Sequence, residues 1–567
     1  MQSARYPQWI ACLLLSTLIS APGFATEPVK AKHAMVVTLE PLAADVGVNV
    51  LKSGGNAVDA AVAVGFALAV THPYAGNIGG GGFMLVRMAN GQTAFIDFRE
   101  EAPLQAGHDM YLGKDGQPTR ESIEGWRSSG VPGSVAGFDY AHKKFGSKPW
   151  AQLLAPAVKL ASDGFVVDDY FSQQLQSARN LGGNPESKRI FQRGGNFYKA
   201  GDTIKQTELG ATLQRIANSG AKEFYEGETA RRFAEAMQAN HGLITLADLK
   251  AYKAVDRKPL EGAYKGYHII TGPPPSAGGV GLLQMMGMLT GTNYDSDGPD
   301  SAKAVHYEAE AMRRFYADRS EYLGDPAFYN VPLSALLDPA YITKRRATIS
   351  PDHETPSDMV DPGLPRSESA GLYWKESSET THYDILDAQG NAVAVTYTLN
   401  GGFGNGITVP GLGFLLNNEM DDFVAKPGSP NMFGLVGGEA NAIAPGKRPL
   451  SSMTPTIIMR DGKVFMVVGA PGGSRITTGV MEVILDVLDF HMNPQDAVDL
   501  PRFHEQWRPD YLYLQRGFNP TAAKELEGMG YEIRPTDSVA RVVTLVNDNG
   551  TLEGGVEPNN HGKVAGY

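Results

Sequence analysis

Hydrophobic and polar residues alternate in several short stretches of the chain, and each alternation predicts a β-strand. Turn residues separate two pairs of these stretches, with Gly390-Asn391 in the first turn and Asp461-Gly462 in the second. Such pairs are typical of antiparallel hairpins. The predicted strands are residues 82–87, 93–97, 383–387, 392–400, 454–459 and 463–468.

Apolar residues recur at helical spacing in other parts of the chain. A mixture of helices with paired strands predicts an α/β protein in which helices cover the outer faces of sheets. The predicted helices are residues 43–68, 209–218, 302–319, 478–490 and 521–529. Between residues 350 and 380 the pattern gives way to Pro, Ser, Asp and Glu, which predicts an exposed, mobile segment.

The length of 567 residues predicts either several domains or one large layered core. With 42% hydrophobic and 20% charged residues, the chain has the composition of a globular protein. Its 50 Lys and Arg against 62 Asp and Glu give a net charge of -12. Because a nucleic-acid surface needs positive charge, we expect no nucleic-acid partner.

The first 25 residues have the features of a secretory signal peptide. Arg5 precedes an apolar run at 10–19, and Gly23-Phe24-Ala25 forms a small-x-small cleavage site before Thr26. The alternative is a membrane anchor, although the run is shorter than the ~20 residues that a span needs. The signal peptide predicts a periplasmic or secreted protein. No later stretch is as long as a membrane span, so we expect no span after the signal is removed. Removal of Cys12 with the signal would leave no thiol for a disulfide or a nucleophile.

The glycine-rich segment 76–82 resembles a nucleotide-binding loop. It lacks the Gly-Lys-Ser/Thr ending of such loops and an acidic residue about 20 positions on that follows a strand, so we predict close backbone packing instead. The histidines have no convincing metal-ligand spacing, and neither a metal nor an organic cofactor is expected. The isolated histidines that we interpret as non-ligands are His72, His241, His382 and His561.

Several separated motifs occur together in one order along the chain. They are Asp97-Phe98-Arg99-Glu100, Thr380-Thr381-His382-Tyr383, Thr396-Tyr397-Thr398-Leu399-Asn400, Leu416-Asn417-Asn418-Glu419-Met420-Asp421-Asp422-Phe423, Arg448-Pro449-Leu450-Ser451-Ser452-Met453 and Gly469-Ala470-Pro471-Gly472-Gly473-Ser474. In these motifs the chain resembles the γ-glutamyltransferase (γ-glutamyltranspeptidase) family of N-terminal nucleophile hydrolases, and the resemblance covers essentially all of its mature length.

The resemblance implies an αββα sandwich of two stacked, mainly antiparallel sheets between helical layers. It also implies that the precursor cuts itself between Glu379 and Thr380, giving a large subunit, 26–379, and a small subunit, 380–567, that form a heterodimer. Thr380 would then be the nucleophile, and its new α-amine would be the base that activates the hydroxyl. With that amine available, His382 is interpreted as structural rather than as a general base.

The first predicted hairpin gives a partial geometric check of this assignment. With a turn of two or four residues, Thr380 lies opposite Leu399, between Thr398 and Asn400. A one-residue bulge near Gly390 would instead bring Thr398 or Asn400 directly across. By resemblance, Thr398 orients Thr380 and Asn400 contacts the amino-acid end of the substrate; the alternative is two polar residues on an exposed strand.

A γ-glutamyl group carries an α-carboxylate and an α-ammonium, so its pocket needs a positive group for the first and negative groups for the second. By resemblance, Arg99 clamps the carboxylate with Ser451 and Ser452, while Glu419, Asp422 and Asn400 receive the ammonium. The backbone N–H groups of Gly472 and Gly473, after a predicted strand, would stabilise the oxyanion, although an ordinary strand-ending turn has the same pattern.

One residue departs from many bacterial relatives of this family. Phe433 stands where those relatives have a Tyr in the lid over the pocket. Phe excludes water but has no hydroxyl for a gating hydrogen bond. We therefore expect more hydrolysis or an altered acceptor preference.

The interpretation as a whole is a γ-glutamyltransferase with glutathione hydrolase activity. Its donors would be glutathione and glutamine-like amides, and the acyl group would pass to water or to an amino-acid or dipeptide amine. One alternative in the same fold is a glutaryl or cephalosporin acylase, whose substrate lacks the α-ammonium. A second, from a different class, is a periplasmic solute-binding protein, which would stay one chain and show no turnover.

Overall fold

The computed structural model describes residues 27–365, 379–557 and 561–567. The predicted signal peptide and most of the second half of the predicted mobile segment lie outside these ranges. The described strands are β1 (Val29–Ala31), β2 (Met35–Thr38), β3 (Gly81–Arg87), β4 (Thr93–Asp97), β5 (Phe165–Val166), β6 (Gln192–Arg193), β7 (Asn196–Phe197), β8 (Thr203–Ile204), β9 (Val255–Arg257), β10 (Leu260–Tyr264), β11 (Tyr267–Thr271), β12 (Thr381–Leu386), β13 (Ala392–Thr398), β14 (Thr456–Arg460), β15 (Lys463–Gly469), β16 (Phe503–His504), β17 (Leu512–Gln515), β18 (Ile533–Thr536), β19 (Val543–Asp548), β20 (Thr551–Val556) and β21 (Lys563–Gly566).

Helices connect these strands and cover the sheets. The α-helices are α1 (Pro41–Lys52), α2 (Ala57–Thr71), α3 (Ser134–Phe145), α4 (Trp150–Asp163), α5 (Asp169–Ser177), α6 (Pro185–Phe191), α7 (Thr207–Ser219), α8 (Lys222–Glu226), α9 (Glu228–Ala239), α10 (Leu246–Ala251), α11 (Gly278–Leu289), α12 (Ala302–Tyr322), α13 (Leu333–Leu336), α14 (Pro339–Arg346), α15 (Ile476–Leu488), α16 (Pro494–Asp499) and α17 (Pro520–Gly528).

Two seven-stranded sheets form the centre of the described structure. Sheet I has the order β21-β2-β12-β13-β3-β4-β9, and sheet II has the order β1-β20-β19-β15-β14-β11-β10. Neighbouring strands are antiparallel throughout both sheets. The central strands β12 and β13 of sheet I pack against β15 and β19 of sheet II.

Helices complete four layers. One hydrophobic cluster joins the outer face of sheet I to α1, α2 and α3, while another fills the space between the sheets and continues to α11, α12 and α15 outside sheet II. Residues of one strand alternate between the two clusters, as Val393 and Ala394 do, because side chains of a strand point to opposite faces. The predicted αββα sandwich is therefore confirmed.

The predicted elements agree with the described ones in most places, with two exceptions. The single helix predicted at 43–68 is wrong, because Gly54 adopts a φ of 83° and Asn56 caps a second helix with Asp59. The prediction of an exposed segment from residue 350 is only partly right for its first part, where Met359 is 75% exposed but other residues make long-range contacts. There Glu354 pairs with Arg313 at 3.0 Å, and the Trp507 indole N–H donates to the Val360 carbonyl at 3.0 Å.

The glycine-rich segment 76–82 packs backbone against backbone, as predicted. A Cβ added at Gly79 would lie 2.1 Å from the carbonyl oxygen of Leu415, and one added at Gly82 would lie 2.3 Å from that of Thr396. At Gly80 the distance to the carbonyl oxygen of Thr398 would be 2.0 Å. The segment therefore fixes the end of β13 where Thr398 lies.

We predict that Gly80→Ala lowers the free energy of unfolding by about 1–3 kcal/mol or more, because the added methyl group overpacks a rigid backbone contact. Gly107→Ala is the matched control, since its Cβ would meet nothing within 4 Å. Urea denaturation of both variants measures the difference. Equal midpoints for the two variants would contradict this account of the segment.

Candidate active site

The hairpin β12–β13 brings two threonine hydroxyls together at one end of sheet I. Thr381 lies opposite Tyr397, so the same register places Thr380 opposite Thr398. The predicted pairing of Thr380 with Leu399 is therefore wrong by one residue. The alternative with a bulge is the one observed: Gly390 has a φ of 87°, and the Asp387 N–H donates to the Asn391 carbonyl at 3.0 Å, closing a three-residue loop.

The carbonyl oxygen of Glu379 lies between these two hydroxyls. Oγ1 of Thr380 donates to it at 2.8 Å, and Oγ1 of Thr398 donates to it at 2.9 Å. The backbone N–H of Asn400 donates to Oγ1 of Thr398 at 2.9 Å and so fixes that hydroxyl. A polarised carbonyl therefore lies beside a hydroxyl that can attack it.

His382 lies between the two sheets, close to this hairpin end. One ring nitrogen hydrogen-bonds Oγ1 of Thr396 at 2.7 Å, and the other hydrogen-bonds Oδ1 of Asp384 at 2.9 Å. The ring fits against Gly469, where an added Cβ would lie 2.2 Å from it. These contacts agree with a structural role for the imidazole.

A charged cluster lies near the threonines. The Arg99 guanidinium pairs with the carboxylates of Glu419 and Asp422, and Glu100 lies 3.6 Å from it. Glu419 and Asp422 belong to one 3-10 turn, Glu419–Asp422, which presents both carboxylates to the same guanidinium. Arg99 and the two acids were predicted to meet opposite charges of a ligand, and in the structure they pair with each other.

Three carboxylates surround the guanidinium of Arg99, and burial changes their ionisation. Burial raises the pKa of Glu419 well above its ordinary value, and the nearby Glu100 and Asp422 raise it further against the effect of Arg99. Burial also raises the pKa of Glu100 to about 7. The cluster has an excess of acid and is therefore suited to a cationic group.

Most of the predicted site residues line a single cavity at the end of the hairpin. Arg99 is fully buried behind the carboxylates with which it pairs, and Gly472 directly precedes a residue of the cavity wall. Among the residues that line the cavity are Thr380, Thr398, Asn400, Glu419, Asp422, Phe433, Ser451, Ser452 and Gly473.

Gly472 and Gly473 follow β15 and lead into a helix. Gly472 has a φ of 149° and Gly473 one of 58°, which is a backbone path that favours glycine. The 3-10 turn Gly473–Arg475 continues directly into α15, whose N-terminal end carries a partial positive charge. That end is favourable for an anion near the cavity wall.

Arg319 lies beside Phe433 among the residues that line the cavity. Phe433 is only 4% exposed. Arg319, on α12, was not predicted; its Nε is buried without a hydrogen-bond partner among the described residues, and burial lowers its pKa. The signal for it was an arginine on the apolar side of a predicted helix, three and four positions after Tyr316 and Phe315.

Residues 27–365, 379–557 and 561–567 also bear on metal binding and on membrane spans. No group of three or more His, Cys, Asp or Glu residues there has the arrangement of a metal site. No helix within those ranges is both long and apolar enough to cross a bilayer.

Comparisons with known proteins give one family. The sequence pattern of the family described as Gamma-glutamyltranspeptidase matches residues 43–567. A glutathione hydrolase proenzyme from Escherichia coli (strain K12) is 48% identical over 545 residues, which are 95% of this chain and 93% of the relative.

Two solved structures extend the comparison. A cephalosporin acylase from Bacillus halodurans has a TM-score of 0.83 at 26% identity and covers 100% of this chain and 99% of its own. A gamma-glutamyltranspeptidase chain from Helicobacter pylori has a TM-score of 0.57 at 41% identity, covering 62% of this chain and 99% of its own. With its four layers, its paired threonines and these matches, the chain belongs to the gamma-glutamyltranspeptidase family.

Proposed function

We propose that this protein is a γ-glutamyltransferase with glutathione hydrolase activity that first cuts its own chain between Glu379 and Thr380. One observation carries the proposal: two threonine hydroxyls donate to the carbonyl oxygen of Glu379, at 2.8 and 2.9 Å, beside a cavity lined by two acids that pair with the buried Arg99. Membership of the family supports the reaction class.

The cut would proceed through an ester. Oγ1 of Thr380 attacks the carbonyl carbon of Glu379, the C–N bond breaks, and the hydroxyl proton ends on the released α-amine. Water then hydrolyses the ester, which frees the carboxyl group of Glu379 and restores the Thr380 hydroxyl. The products are the chains 26–379 and 380–567, and the second begins with a threonine that carries its own base.

Turnover would use the same oxygen. The α-amine of Thr380 takes the hydroxyl proton while Oγ1 attacks the γ-carbonyl of the donor, and the departing amine leaves with a proton. The γ-glutamyl ester is then resolved by water or by the amine of an amino acid or dipeptide. Thr398 holds the nucleophile, and the N–H groups of Gly472 and Gly473 stabilise the oxyanion at each tetrahedral stage.

Substrate recognition would be an exchange of ion pairs. The α-carboxylate of the γ-glutamyl group would pair with the Arg99 guanidinium and accept hydrogen bonds from Ser451 and Ser452. Its α-ammonium would pair with the carboxylates of Glu419 and Asp422, which Arg99 releases, and would also contact Asn400. Each charge of the ligand meets an opposite charge in this exchange, which matters because an unpaired buried charge is costly. Glutathione and glutamine-like amides both carry this zwitterionic end.

Export would precede or accompany this maturation. Arg5, the apolar run at 10–19 and the Gly23-Phe24-Ala25 site support removal of residues 1–25 and a periplasmic or secreted location. The N-terminus of the large chain, expected at Thr26, reports on this part of the proposal.

Denaturing mass spectrometry of the purified protein tests the cut. We expect two chains that begin at Thr26 and Thr380, a single uncut and inactive chain for Thr380→Ala, and slower but detectable cutting for Thr380→Ser, which keeps a hydroxyl. An intact chain with full activity would overturn the proposal. An intact chain that binds small molecules without turnover would favour the solute-binding class.

A glutaryl or cephalosporin acylase is the second candidate, favoured by the TM-score of 0.83 to the Bacillus halodurans enzyme. We predict at least about 100-fold higher kcat/KM for a γ-glutamyl anilide than for the glutaryl anilide, because losing the ammonium leaves buried carboxylates without a charged partner. Steady-state kinetics with both anilides measures the ratio, and Asp422→Asn should narrow it. A preference for the glutaryl substrate would identify an acylase.

Phe433 gives a prediction about the fate of the acyl group. Phe433→Tyr should raise the ratio of dipeptide formation to glutamate release, because an added hydroxyl supplies a hydrogen bond that closes the lid against water. Phe433→Leu is the control, since it stays apolar without a hydroxyl. Quantifying both products at one acceptor concentration gives the partition ratio, and an unchanged ratio in Phe433→Tyr counts against the idea.

A further inference from the structure

The side chain of Glu379 occupies a polar site of its own on the side of the peptide bond that precedes Thr380. Its Oε2 lies 3.5 Å from Nη2 of Arg541, and the two side chains are 17% and 13% exposed. The Tyr74 hydroxyl faces the same carboxyl group and stabilises its charge. These contacts are separate from the hydrogen bonds that the Glu379 carbonyl receives.

Arg541 is held firmly in this position. Its backbone N–H donates to the carbonyl of Pro471 at 3.1 Å, directly before Gly472. Its guanidinium donates to the hydroxyl of Tyr170, whose ring stacks between His72 and His561 at 6.3 and 5.5 Å. An arginine anchored at both its backbone and its side chain can serve as a fixed reference point for the Glu379 carboxylate.

Tyr74 is fixed in a similar way from the other side. Its carbonyl accepts the N–H of Phe403, and its ring packs against Gly402, where an added Cβ would lie 2.5 Å from it. The loop that contains Gly402 and Phe403 begins at the end of β13, beside Thr398. Both partners of the Glu379 carboxyl are therefore linked to backbone that also carries the cavity.

We propose that Arg541 and Tyr74 form a binding site for the side-chain carboxylate of Glu379, which orients the carbonyl of that residue for attack by Thr380. Arg541 is thus a positioning residue for self-cleavage. The inference rests on the proposed cut between residues 379 and 380. Two hydroxyls fix the carbonyl oxygen of Glu379, and the anchored carboxylate fixes the Cα atom of the same residue. The peptide plane between Glu379 and Thr380 is therefore oriented from both sides.

The titration of Glu379 gives this role a distinct signature. Burial raises the pKa of Glu379 to about 7, against the opposing effects of Arg541 and Tyr74. The charged form that pairs with Arg541 is complete above that pKa and is lost as the pH falls through it, so cleavage should slow on the acidic side.

Two histidines near this site bear on the pH profile. Burial lowers the pKa of His72 to about 3, so that this ring stays neutral near pH 7. The hydrogen bond to Asp168, 2.6 Å away, raises the pKa of His561 above its ordinary value. A variant at Glu379 separates its titration from that of His561.

The test follows conversion of the full-length precursor into two chains after cell-free synthesis, at pH values about two units either side of 7. We expect Arg541→Gln to slow conversion about 10-fold to 100-fold, the size of a lost charge-assisted contact. Glu379→Gln should lose the inflection near pH 7, and the double variant should convert faster than Arg541→Gln because it leaves no unpaired charge. Arg516→Gln, on an exposed pair with Asp537, is the matched control.

The outcomes separate this inference from the proposed function. If Arg541→Gln converts as fast as the wild type, the positioning role is overturned but the cut is not. The same holds if the rate of conversion of Glu379→Gln still changes near pH 7. A wild-type chain that never converts overturns the cut itself. If Arg541→Gln does not fold, as judged by its thermal transition, the pH profile of Glu379→Gln decides, because that change keeps the size and shape of the side chain.

Discussion

The register of one hairpin decides which side chains meet at the candidate active site. Side chains of a strand alternate between its faces, so Thr380 and Thr398 share the inner face of sheet I only because β12 and β13 pair with an odd number of loop residues between them. Gly390 makes that loop possible through its left-handed conformation. A loop with one residue fewer would place Leu399 opposite Thr380 and turn the Thr398 hydroxyl away.

The charge balance of the cavity is the second constraint. Arg99 faces Glu100, Glu419 and Asp422, and the cluster has more acid than it has base. A ligand with a single negative charge would compete for the guanidinium and leave the acids unpaired. A zwitterion would replace each internal ion pair with an external one, so the proposed site would select for the number of ligand charges as well as for their sign.

Local sequence patterns predicted the parts of this structure that depend on neighbours in the chain. The strands around Gly390 and Asp461-Gly462 and the close packing of segment 76–82 follow from alternation and glycine content. The break between α1 and α2 had a local signal in Gly54-Gly55-Asn56, but the continuous apolar face on either side obscured it.

Contacts between distant residues were beyond such patterns. Residues 350–360 have the composition of a loop, yet Arg313 and Trp507 hold them from elsewhere in the chain. The prediction that the cavity residues come together rested on the family motifs, because periodicity alone does not show that Arg99 lies beside Glu419. Arg319 and Arg541 belong to none of those motifs, and only the folded structure shows what they contact.

The strands of the two proposed pieces are interleaved in both central sheets. In sheet I, β2 lies between β12 and β21, and in sheet II, β1 pairs with β20, so each sheet takes strands from both sides of residue 380. If the bond is cut as proposed, neither piece could leave without breaking both sheets. Reassembly from separated pieces would become a second-order process that depends on concentration, whereas the uncut chain folds as one molecule. The cleaved heterodimer would then be kinetically stable, protected by a slow rate of unfolding. Unfolding of one molecule would be hard to reverse.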